Sequence, residues 1–125
     1  MKTKADHLFK KAQENLKIAN EELFKPEEDV ISYLVCKNSQ YAIENNLKGF
    51  LTHRGFETHE GETLEHLLDR CKALEPKFKN VQLNFIDCKA FKIDSTYCED
   101  VKKVSSCFDN ADSLDTLLKQ LKIIS

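Results

Sequence analysis

A chain of 125 residues, 41% hydrophobic and 32% charged, fits one folded domain whose core needs neither disulfides nor metal, and excludes a disordered segment. The formal charge of -2 excludes a global basic field for holding polyanions, so a nucleic-acid role needs a local patch. Only 3 Gly and 2 Pro leave few turns, and the Leu, Lys, Glu and Ala content favours a small number of long helices.

Ala5, Leu8, Phe9, Ala12, Leu16, Ala19 and Leu23 recur mostly at three- and four-residue steps between Lys and Glu. That spacing predicts an amphipathic first helix. It stops before Pro26, since proline disfavours helical geometry in the residue ahead of it. The run PEEDV opens a second helix: Pro26 suits a first turn, and Glu27, Glu28 and Asp29 complement the positive end of the dipole. This helix is expected to reach about Arg54, where Gly55 offers a left-handed cap. Its apolar positions Ile31, Leu34, Val35, Ala42, Ile43, Leu47, Phe50 and Leu51 cover more than one stripe, with Ser39 and Gly49 among them. Neighbours on several sides are therefore expected, with Leu47 and Phe50 as core anchors.

GFETHEGE reads as a loop, and TLEHLLDRCKAL as a shorter third helix with Leu64, Leu67, Leu68, Cys71 and Leu74 on one face, capped by Thr63 or Gly61. From Pro76 to Phe91 the positions Phe78, Val81, Phe85, Cys88 and Phe91 fit a fourth helix. VQLNFI alternates like a strand but has no partner strand in the chain. After the polar connector KIDSTY, a last helix is expected from about Tyr97 to Ile123, striped by Val101, Val104, Phe108, Ala111, Leu114, Leu118 and Leu121. The expected architecture is an all-α, up-and-down bundle of about five helices in a single domain over residues 1–125.

Cys36, Cys71, Cys88, Cys98 and Cys107 are odd in number and lack zinc-knuckle or Cys-x-x-Cys spacing, so idle thiols in a reducing compartment are expected. No run approaches the roughly 20 apolar residues that span a bilayer, and the N-terminal stretch has no apolar signal region. A cytoplasmic protein without membrane contact is the expectation. No metal or cofactor is expected either. His53, His59, His66, Glu60 and Glu62 are the candidate ligands, yet paired Glu-x-x-His elements and close zinc spacing are both missing. Glu44 and Lys48 stand at the favourable four-residue spacing of a helix-stabilising ion pair.

The stretch YLVCKNSQYAIENNLKGFLTHRGFETHEGETLEHLLDRC resembles the signature of the HEPN family, helical domains associated with nucleotide binding in higher eukaryotes and prokaryotes. The resemblance runs through Tyr41, Glu44, Leu47, Lys48, Phe50 and Leu51 on the long helix, then Leu64, Leu67, Leu68 and Cys71 on the short one. It implies a homodimeric binding module that acts with a nucleotidyltransferase-type partner on nucleotide or RNA, with Glu44 and Lys48 lining a groove. Ribonuclease members pair an Arg and a His with four to six residues between them. Arg54 and His59 have that spacing, which implies the alternative of a metal-independent, toxin-type ribonuclease with these two as catalytic residues. A structural or regulatory dimer without ligand is a third reading. Two departures stand out: Glu62 occupies the place of a His two residues before the short helix's first Leu, and FKIDSTYCED lacks the family's Arg-Tyr-Pro.

The segment around His59 is expected to be a solvated helix joint more than a catalytic centre. Glu57, Glu60 and Glu62 surround His59 with negative charge, which repels a phosphate, and Arg54 is the one Arg expected to offset them.

Overall fold

A computed structural model describes residues 3–26, 32–81 and 101–124. These residues form helices α1 (Lys4–Leu23), α2 (Ser32–His53), α3 (Leu64–Leu74) and α4 (Val101–Gln120), with a 3-10 helix at Pro76–Asn80 between α3 and α4. No strand occurs among them. The fourth helix expected over 76–91 is a 3-10 helix in its described part, and the rest, including VQLNFI, lies outside the described residues. So do residues 27–30 of the PEEDV start expected for the second helix, while Pro26 is described and lies outside any helix. The last helix is described from Val101 onward, and its expected start at about Tyr97 lies outside the described residues.

α1 opens on a reciprocal capping box: the Asp6 N–H donates to Thr3 Oγ1 at 3.2 Å and the Thr3 N–H donates to Asp6 Oδ2 at 3.1 Å. Ala5, Phe9, Ala12, Leu16 and Ala19 are its buried face, as their spacing predicts. The small residues let α1 lie close along α2. At the tightest point Gly49 meets the Phe9 ring, where an added Cβ would stand 2.6 Å from Phe9 Cε1. Glycine is required there by space, because the ring is itself buried and has little freedom to withdraw. Further along, Asn15 bridges two turns of α2: its Nδ2 donates to Asn38 Oδ1 at 3.2 Å, and its Oδ1 accepts from Asn45 Nδ2 at 3.0 Å.

The core gathers Ile43, Leu47, Phe50 and Leu51 of α2, Leu67 and Leu68 of α3, Phe78, and Leu114 and Leu118 of α4. Leu47 is fully buried and Phe50 nearly so. The Phe50 and Phe78 rings pack with centroids 4.6 Å apart at 55°, so the 3-10 segment is anchored by an aromatic tilt contact as well as by burial. α4 accompanies α2 in the same direction: Cys107 Sγ lies 3.8 Å from Cys36 Sγ near one end, and Leu121 and Ile123 stand beside Phe50 and Arg54 at the other. Cys71 and Cys107 are buried and outside any disulfide, whereas Cys36 is disulfide-bonded, a departure from the expectation of thiols throughout. Burial pushes the Cys71 thiol up to about 12, so it stays protonated and inert.

Candidate functional site at the converging helix ends

α2 stops because Gly55 takes the left-handed conformation, φ +88°. The Phe56 N–H donates back to Leu51 O at 2.9 Å and the Gly55 N–H to Thr52 O at 3.0 Å, the pair of bonds that ends a helix on a left-handed residue. This termination fixes the direction in which Arg54 leaves the helix. Its Nη2 donates to the Leu74 carbonyl at 3.3 Å, the last residue of α3, and its guanidinium lies 5.5 Å from the centre of the Phe50 ring.

Beneath Arg54 is a cavity of about 250 Å³ lined by Phe50, His53, Arg54, Glu75, Leu121 and Ile123. The carboxyl ends of α2, α3 and α4 all meet there. Each end carries partial negative charge on its unpaired carbonyls, and Glu75 adds a carboxylate. Such a place favours a cation, the reverse of the helix amino end that collects phosphate. Arg54 supplies that cation from within the chain.

The loop between α2 and α3 is fastened separately. Thr63 caps α3, its Oγ1 accepting the His66 N–H at 3.1 Å. Glu62 accepts the His59 N–H at 2.7 Å, takes both carboxylate bonds from Arg70 Nη1 at 3.0 Å, and lies 3.4 Å from His66 Nε2. Arg70 Nη2 also donates to Glu57 O at 2.8 Å. The His59 backbone bond and then the Arg70 guanidinium hold the Glu62 carboxyl below the usual range. The expectation that Arg54 alone offsets three carboxylates is therefore corrected: Arg70 neutralises Glu62 and pins the loop, leaving Glu57 and Glu60 as exposed side chains.

The two candidate catalytic residues have different partners. Arg54 is engaged by Leu74 and Phe50, whereas His59 is exposed and is tied to Glu62 through its backbone alone. Among the described residues no hydrogen bond or ion pair joins Arg54 to His59. Glu44 and Lys48 form the expected four-residue ion pair, at 3.7 Å and partly buried. Neither lines the Arg54 cavity. Among the described residues no three His, Cys, Asp or Glu side chains group to hold a metal ion.

Arg70 was the residue that sequence reasoning missed. Its signal was present, because Glu62, His66 and Arg70 are spaced by four and four, one face over two turns. His53 and Glu75 were missed as cavity residues for a different reason: their meeting depends on how three helix ends converge, which no local spacing encodes.

Helix ends converging on a small cavity, with apolar faces turned inward along α1, α2 and α4, define a small all-helical bundle domain. The chain matches the HEPN domain over residues 5–123, nearly its whole length, and it belongs to the HEPN family. No curated protein and no solved structure matches it. Among the described residues no helix is long and apolar enough to cross a membrane.

Proposed function

We propose that this HEPN domain is a cytoplasmic binding and dimerisation module that holds a nucleotide or RNA beside a nucleotidyltransferase-type partner and has no cleavage chemistry of its own. The observation that carries this reading is the engagement of Arg54. RNA cleavage without metal needs a cation free to meet the phosphorane and a His placed as acid or base. Here the guanidinium serves the Leu74 carbonyl and the Phe50 ring, and His59 belongs to a loop pinned by Glu62 and Arg70. The toxin-type ribonuclease reading has the Arg54 and His59 spacing as its support, and these partners work against it. Exposed Lys4, Lys10 and Lys11 on α1 supply the local positive charge that RNA contact needs.

Fluorescence anisotropy with a labelled single-stranded RNA and with a labelled mononucleotide tests the binding claim. Saturable binding of at least one probe, weakened by salt, is expected. No binding of either probe at any soluble protein concentration overturns it and leaves the ligand-free structural dimer. The Cys36 disulfide works against the cytoplasmic part of the reading, because reducing compartments keep thiols free. Counting alkylatable thiols in protein taken directly from lysed cells tests that part.

A further inference from the structure

We infer that the groove between α1 and α4 is the face on which a second copy of this chain docks, in a two-fold pair that sets Lys17 of each copy against Asp112 of the other. The inference rests on the dimeric reading above and supplies its interface. Gln13, Lys17 and Asn20 succeed each other at steps of four and three and form one wall; Asp112, Asp115 and Lys119 form the other. Between them lies about 420 Å³ of open space over an apolar floor of Leu16 and Phe108.

The deep layer of this groove is complete within one chain. Asp115, only 3% exposed, accepts from Gln13 Nε2 and pairs with Lys119 Nζ at 3.0 Å. The outer layer is not complete. Lys17 and Asp112 stand exposed on opposite walls, and among the described residues neither has an ion pair.

One free cation facing one free carboxylate is self-complementary under a two-fold axis, because the rotated copy offers the same two charges in reverse order. A uniformly acidic or basic partner would meet one of the two with repulsion. The α1 wall also carries an apolar anchor. Phe24 lies four residues beyond Asn20 and seven beyond Lys17, on the same face, and is 81% exposed. An aromatic side chain this exposed, at the end of a groove wall, is the kind of residue that concentrates binding energy once covered.

The test is the molar mass from light scattering across a dilution series. Wild type is expected at twice 14.4 kDa. Lys17→Asp and Asp112→Lys are each expected to raise the concentration of half-dissociation at least about tenfold, and the double reversal to return it toward wild type. Phe24→Ser is expected to dissociate the pair with unchanged helical circular dichroism, since an exposed side chain contributes little to the fold of one chain. A wild-type dimer that none of these variants weakens, or single reversals that the double does not rescue, overturns this interface and leaves the dimeric reading standing. A wild-type mass of 14.4 kDa at every concentration overturns both.

Discussion

The carboxyl ends of α2 and α4 stand on either side of the Arg54 cavity and close by the same hydrogen-bond pattern, yet one turns on a glycine and the other on a lysine. At α2 the Phe56 N–H reaches Leu51 O and Gly55 reaches Thr52 O; at α4 the Ile123 N–H reaches Leu118 O at 3.0 Å and Lys122 reaches Lys119 O at 3.0 Å. Gly55 adopts its positive φ without strain, whereas Lys122, at φ +60°, bears the clash of its Cβ with the backbone, about 1–2 kcal/mol. The residues just beyond each turn explain the difference. Phe56 is 46% exposed, so the α2 end has little burial to hold it and depends on glycine. Ile123 and Ile124 pack against the core, and their burial offsets the strain at Lys122. Local preference sets one end; tertiary packing sets the other.

The largest effect should come from removing the side chain under either end. Leu51→Ala and Leu118→Ala, both at fully buried positions, are each expected to lose about 2–5 kcal/mol in urea unfolding. A much smaller loss at Leu118 would mean that packing does not hold the α4 end. Next is Gly55→Ala. A Cβ there meets no atom within 4 Å, so the expected loss of about 1–2 kcal/mol is backbone strain alone. Lys122→Gly sharpens the comparison in the opposite direction, with an expected gain of up to about 1 kcal/mol. A loss would show that lysine is held there by contacts that offset the strain.

Acid separates the loop from both ends. Glu62 has a folded pKa below its unfolded value, so its contribution is present above the unfolded pKa of about 4.3 and is lost as pH falls through the folded value. Melting temperatures across that window should fall less steeply for Glu62→Gln than for wild type. Identical slopes would remove the carboxylate's role as the loop's fastening. Smallest of all is His59→Ala, expected to stay within about 0.5 kcal/mol, because the contact made by His59 is its backbone N–H and the variant keeps it.

The helices were legible in the sequence wherever one face repeats. The spacing from Ala5 to Leu23, the left-handed Gly55 and the Thr63 cap all match their sequence signals, because each is encoded within a few residues. The turn at Lys122 was not legible: lysine gives no turn signal, and its conformation is imposed by the burial of Ile123. The 3-10 segment resembles a helix in sequence because Phe78 and Val81 fit a helical stripe; Phe78 instead docks on Phe50 from a tighter turn. At the candidate site, the Glu62 and His66 contact was visible as a four-residue step, while the Arg54 bond to Leu74 joins residues twenty apart and needed the fold.

On the reading we propose, Arg54, engaged as it is by Leu74 and Phe50, serves the helix ends and does not cut RNA. Incubating metal-free purified protein with total cellular RNA at low salt, and monitoring RNA length over time, tests this most directly. RNA of unchanged length is expected with wild type, as with buffer alone. Cleavage by wild type that disappears in folded Arg54→Ala or His59→Ala would contradict it and assign the pair to catalysis.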